Sequence, residues 1–180
     1  MYKSAGFTLL ELLVVIAIIG LLSAVVFGSL SESKDKAKEV VTIKEVRKLN
    51  EAIFMYELHT STKFECPIGQ VCTDNLIVNP GINGWAGPYI KDSEIHPWGG
   101  QIIMTKAYSL QGERGALQTL IFLTDDRSLV DLDNSAKIPT NSMLNIDRAL
   151  DDGNLGTGLI RRFPYGSRGM ENQLLIQPEI

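Results

Sequence analysis

Histidine, cysteine and tryptophan occur only twice each in this chain of 180 residues. His59 and His96 stand far apart, without a histidine or cysteine neighbour, so no histidine-centred dyad or ligand cluster is legible. There is no Gly-x-x-x-x-Gly-Lys-Ser/Thr loop, so energy for any mechanical work must come from another protein. A Gly-x-Ser-x-Gly elbow is missing too. The run GNLGTG at 153–158 imitates a dinucleotide fingerprint, but no strand precedes it, and it reads as a turn. Charge is also sparse. Charged residues make up 21% and the net charge is -4, so no global field draws the chain to nucleic acid or acidic lipid. Arg161, Arg162 and Arg168 read as a solvated face, and nucleic acid is not an expected partner. Proline is absent between Met1 and Glu65, which removes the strongest helix breaker from the first third of the chain.

What the chain does have is one long apolar run. From Phe7 to Leu30 the only charge is Glu11. As a helix that run spans roughly 36 Å at ~1.5 Å per residue, enough for a hydrocarbon core of ~30 Å. A secretory signal peptide carries only ~7–15 apolar residues, and AVVFG at 24–28 is a poor cleavage site. Lys3 before the run points the N-terminus to the cytoplasm, although Lys34, Lys36 and Lys38 follow it among acidic residues. Glu11 then needs an explanation, because a carboxylate at the centre of a bilayer costs roughly 2.5–3.5 kcal/mol. Such a cost calls for a partner or a function.

The segment KSAG/FTLLELLVVIAIIGLLSAV closely resembles the N-terminus of type IV prepilins and type II secretion pseudopilins. The resemblance implies that a prepilin peptidase cuts after Gly6 and that Phe7 becomes an N-methylated terminus. It also implies that Glu11 pairs with the Phe7 amine of a neighbouring subunit in a filament. Opposite charges attract strongly where the dielectric is low, and either one left alone there is expensive. A glutamate snorkelling near the membrane face is the other reading of Glu11.

The apolar spacing continues beyond the run. Ala37, Val40, Ile43, Val46 or Leu49, Ile53 and Tyr56 recur every three to four residues, which predicts a helix from Phe7 to His59 with an amphipathic second half. Glu32 with Lys36, and Arg47 with Glu51, are placed to form i,i+4 pairs. Gly20 and Gly28 interrupt this helix. Related pilins often have proline at the position of Gly28, where their helix loosens; close packing by small residues is the equal alternative.

Cys66 and Cys72 form an even pair in a chain expected outside the cytoplasm, which predicts a disulfide. The stretch GWAGPYIKDSEIHPWGG resembles a second motif, of major type II secretion pseudopilins. Trp85, Gly87, Pro88 and Tyr89 match its first part and Pro97, Trp98 and Gly99 its second. Ala86 and His96 depart from it, His96 standing where aspartate is usual. Bottom-up this is a turn-rich loop whose Trp and Tyr are expected to anchor it to a sheet.

QIIMTKAY (101–108) and LQTLIFLT (117–124) predict a hairpin, SLVDL adds a small strand, and GLIRRF and QLLIQ complete the sheet. Between them PTNSMLNIDRALDDGN predicts a short helix capped by Thr140 or Asn141 and stopped by Gly153. Asp147, Asp151, Asp152 and Asn154 gather hard oxygens around that stop, a set that suits Ca2+. The acidic stretch TDDRSLVDLDN competes for the same role, and an acidic helix end with Asx turns is the plain alternative.

The expected fold is α+β, a long N-terminal helix packed on a small antiparallel sheet, like a pilin. The expected organisation is a leader at 1–6, a transmembrane and filament-core helix at 7–30, its amphipathic continuation at 31–59 and a head at 60–180. The resemblance implies a non-enzymatic subunit of a type II secretion pseudopilus or type IV pilus-like filament. Its partners would be further pilin or pseudopilin copies, the prepilin peptidase, and a membrane platform protein driven by an assembly ATPase. It would sit in the inner membrane with its head outside the cytoplasm, then in a periplasmic or surface filament. A signal-anchored extracytoplasmic enzyme or binding domain that does not polymerise is the alternative.

Overall fold

The computed structural model describes residues 7–92, 95–108, 117–124, 138–162 and 174–178, with the side chains of 25–29, 107, 108, 117, 124 and 175 left out. Gly6 with the leader, SLVDL, the acidic stretch from Asp125 to Asn134, and Arg168 lie outside those residues.

Helix α1 runs Leu9–Thr60, 52 residues, close to the bounds its apolar spacing predicts. Chain contacts divide the molecule into Met1–Ala37 and Lys38–Ile180. Among the described residues of the first unit the large apolar side chains are exposed: Leu9 is 81%, Leu10 72% and Leu21 71% exposed. Among the described residues no helix is long and apolar enough to cross a membrane. The described side chains of the run stop at Ala24 and resume at Leu30. The Glu32–Lys36 pair forms at 2.7 Å.

In the second unit, α1 turns Thr42, Val46, Leu49, Ile53 and Tyr56 inward, a spacing of three to four that keeps one stripe on the core. Facing it, among the described residues, is a 5-stranded sheet of order β1-β2-β3-β5-β4, antiparallel between every pair of neighbours. Its strands are β1 (Ile95–His96), β2 (Gly100–Tyr108), β3 (Leu117–Thr124), β4 (Ile160–Arg162) and β5 (Leu174–Ile176). Register places Ile102 opposite Leu123 and Met104 opposite Ile121, so alternate residues of the hairpin fill the core. Ile176 of β5 lies between Ile121 and Ile160 and carries the apolar layer outward. The two-residue β1 was not read from the sequence, being too short to show alternation.

Helix α2 (Thr140–Leu150) buries Met143 and Ile146 in the same core. Its amide Asn145 Nδ2 donates at 3.2 Å to both carboxylate oxygens of Glu39 and so ties α2 to α1. The N-cap differs from the expectation. Thr140 already lies in the helix, Pro139 occupies the cap, and Met143 N–H donates to the Pro139 carbonyl at 3.0 Å. Proline's fixed φ, -58° here, sets the chain's entry without a side-chain acceptor.

Cys66 and Cys72 are bridged, with Cα atoms 5.4 Å apart. The loop they close is pinned to β2 by Cys72 N–H donating to the Met104 carbonyl at 2.9 Å. Tyr89 corrects another expectation, because its ring packs on the last turns of α1, while Trp85 packs on Tyr89 and donates its indole N–H to the Asn75 carbonyl at 3.1 Å. The Tyr89 ring centre lies 5.9 Å from Tyr56 and 5.7 Å from His59, with Trp85 5.6 Å from Tyr89. Tyr89 N–H donates to the Leu76 carbonyl at 2.8 Å, which directs the ring toward the helix. Gly87 permits this packing, since a Cβ there would come within 2.6 Å of the Trp85 ring. Trp98 lies under the Lys38 ammonium at 5.6 Å, a cation–π contact. His96 is fully buried.

Candidate functional site

The first candidate is the start of α1. Thr8 precedes the helix, and its N–H and hydroxyl both donate to Glu11 Oε2 at 2.8 Å. In return Glu11 N–H donates to Thr8 Oγ1 at 3.2 Å. This is a capping box, which satisfies helix-end donors that have no partner within the helix. Glu11 is therefore already held within its own chain, a partner the expected assembly role did not include. Thr8 was missed in the sequence, although Thr-x-x-Glu before an apolar run is a readable cap signature. Phe7, one residue earlier, is 88% exposed.

The second candidate is the C-terminal end of α2. Asp147, Asp151 and Asp152 each bring a carboxylate oxygen within 4.8 Å of the others. The helix turn sets this spacing, since positions 147 and 151 lie one turn apart, and Asp151 N–H donates to the Asp147 carbonyl at 2.6 Å. Asp151 Oδ2 accepts from the amides of Leu159 and Ile160, the latter at 2.9 Å. Asp152 accepts from the Thr157 hydroxyl at 2.6 Å and the Asn154 amide at 2.8 Å. Asn154 turns its own Oδ1 to the Gly156 amide at 3.1 Å, an Asx turn, so it shapes the loop.

Asp147 is the residue without compensation. Its side chain is fully buried, and among the described residues neither carboxylate oxygen accepts a well-formed hydrogen bond. Burial pushes its acid up to about 6, helped by repulsion from Asp151 and Asp152, against the Gly153 amide and Arg148, which pull it down. Asp152 is held low instead, first by the Thr157 hydroxyl and then by the Asn154 amide. Gly158 keeps the loop closed on Asp151: its φ is +72°, and a Cβ there would collide with the Asp151 carboxylate. Sequence reasoning picked the three aspartates but missed Thr157 and Gly158, whose roles depend on the loop's return.

The donor set fits a hard cation. Oxygens spaced up to 4.8 Å match the width of a shell at about 2.4 Å around Ca2+, and the orphaned carboxylate of Asp147 is the group such an ion would satisfy.

The comparisons define the class first. Residues 1–27 match the family described as the prokaryotic N-terminal methylation motif. The chain is also 32% identical to the type II secretion system core protein G of Escherichia coli strain K12, over 66% of this chain and 80% of that protein. It is 30% identical to the same-named protein of Vibrio cholerae serotype O1, over 69% of this chain and 84% of the relative. The Klebsiella michiganensis protein is 36% identical over 53% of this chain and 68% of its own length. No solved structure matches. This chain belongs to the type II secretion system core protein G family.

Proposed function

We infer that the chain is a structural subunit of a type II secretion pseudopilus, polymerised through α1. The observation that carries this reading is the pairing of an N-terminal methylation motif with core protein G relatives that the chain covers over most of their length. The subunit is made with a leader, cut between Gly6 and Phe7 by a prepilin peptidase, and N-methylated on Phe7. Before assembly the uncovered apolar face of α1's first unit sits in the inner membrane with the head outside the cytoplasm. A contiguous apolar surface of this extent needs lipid or protein cover. A membrane platform protein and its ATPase supply the work, because the sequence carries no nucleotide loop of its own.

Cutting at Gly6 frees an ammonium on Phe7, next to a carboxylate that Thr8 already orients. Glu11 receives that amine from a neighbouring copy, and the Thr8 cap keeps its charge compensated until then. Asp147, Asp151 and Asp152 hold Ca2+, which braces the loop from Asp151 to Ile160 against β4.

Intact-mass measurement of the mature protein tests the processing step. Loss of residues 1–6 and gain of one methyl is expected, and a chain beginning elsewhere refutes it. Glu11→Leu should insert into membranes as well as wild type yet form few filaments. Normal filament yield from Glu11→Leu removes the assembly role.

A further inference from the structure

Among the described residues β4 is the last strand of the sheet, so one of its edges faces no other strand. A bare edge presents unpaired N–H and C=O groups and invites pairing with another chain. The register says which groups those are. Gln177 N–H donates to the Leu159 carbonyl at 2.8 Å, so Leu159 and Arg161 turn their backbone groups toward β5. Antiparallel pairing alternates, and Ile160 and Arg162 therefore turn theirs outward.

Both outward N–H groups are already taken. Ile160 N–H donates to Asp151 Oδ2 at 2.9 Å, and Arg162 N–H donates to the Leu155 carbonyl at 3.0 Å. Both acceptors belong to the loop that leaves α2 and folds back along the strand it precedes. Arg161 Nε adds a third tie, donating to the Gly158 carbonyl at 3.0 Å. Within the loop, Thr157 Oγ1 donates to Asp152 and the Gly156 amide to Asn154 Oδ1, which hold its shape. A carboxylate and a loop carbonyl thus stand where a neighbouring strand would place its acceptors.

We propose that loop 151–158 is a cover on the β4 edge, and that the surface it closes is a two-fold contact between the heads of two copies of this chain. The edge is self-complementary in one register. Setting Ile160 opposite Ile160 of a second copy lets the two exchange both N–H···O=C bonds, and it brings each Arg162 N–H to the other copy's Gly158 carbonyl. Leu159 then faces Arg161, and no like charges stand opposite one another. The register centred on Arg161 would set Arg161 on Arg161, which is destabilising. A patch that meets its own copy closes as a dimer and does not propagate. The two-fold also reverses α1 of one copy against the other, a direction that two copies anchored in one membrane do not share. The cover therefore keeps heads from a pairing that competes with side-by-side assembly. That consequence rests on the membrane reading, whereas the contact itself needs neither a bound cation nor polymerisation through α1.

Light scattering of the full mature chain over a concentration series tests it, in detergent and with chelator. Detergent lifts the membrane's constraint on direction, and chelator ensures that no cation holds the loop. Asp151→Ala removes the acceptor for Ile160 and should dimerise at least about tenfold more tightly than wild type, the change worth one hydrogen bond to an ionised group. Deuterium uptake across 159–162 should rise in the dilute variant and fall again as it is concentrated. Asp151→Ala with Arg162→Pro should return to the wild-type level, because proline removes an outward N–H and blunts the edge. Melting curves check that the variants fold. Should Asp151→Ala fail to unfold cooperatively, Gly158→Ala opens the same loop, since a Cβ at φ +72° collides with the Asp151 carboxylate. If the folded variant associates no more than wild type, or if Arg162→Pro leaves its association unchanged, the cover is refuted while the pseudopilus reading stands. Failure of wild type to form filaments would sink the pseudopilus reading and leave the edge contact intact.

Discussion

Replacing Asp147 by asparagine should stabilise the head at neutral pH, against the usual result of altering a fully buried side chain. The carboxyl titrates at about 6 in the fold, against an ordinary value of 3.8. A group whose acid is raised on folding favours the folded state below its unfolded pKa. It loses that advantage as pH climbs through the folded value. Each pKa step is worth about 1.36 kcal/mol, so the ionised Asp147 costs up to about 3 kcal/mol above pH 6 in metal-free protein. Asp151 is partly exposed and Asp152 exposed. Water screens their share of the repulsion, and about 1–2 kcal/mol remains. Asparagine keeps the shape, carries no charge, and can donate to Asp151 or Asp152. For a chain of this size that gain is roughly 2–8 °C in melting temperature. The assay is thermal unfolding of the mature chain in detergent, with chelator, at pH 7.5 and pH 4. Asp147→Asn should melt above wild type at pH 7.5 and level with it at pH 4. Calcium, proposed above for this site, should reverse the order. At ~100 times its dissociation constant it should add about 2.7 kcal/mol to wild type, and Asp147→Asn should gain little. An asparagine variant that melts at or below wild type at pH 7.5 in chelator would refute the reasoning, as would an equal gain at pH 4.

Two further substitutions probe how the head is held. Gly158→Ala should lower stability by about 1–3 kcal/mol, because alanine meets the Asp151 carboxylate in a backbone at φ +72°; a melt unchanged from wild type would show that the loop yields freely. Cys66→Ser with Cys72→Ser should cost about 2–2.5 kcal/mol, the loop-closure value for a bridge across so short a segment, read as a lower denaturant midpoint under oxidising conditions, and the same loss on adding reductant to wild type would confirm its source.

Much of this protein is written locally. The unbroken apolar run and the absence of proline before Pro67 are enough to specify α1, since helix formation over that span needs only the chain's own hydrogen bonds and period. The β2–β3 hairpin is equally local, its alternation setting which residues enter the core. The N-terminal motif was legible because it is contiguous, and the bridge because only two cysteines exist to pair. Tertiary structure decided what depends on residues far apart in sequence. Arg47 leaves Glu51 because the Ala149 carbonyl arrives from α2, more than a hundred positions later. Tyr89 turns to α1 because Leu76 receives its amide, and Trp85 follows by packing on Tyr89. Asp147 looks like any helix-end aspartate in sequence. Only the return of the loop through Gly158 to β4 holds Asp151 and Asp152 against it, and only packing into the core strips its water. Periodicity and motif report what one segment prefers, whereas a buried charge is defined by the segments that close over it.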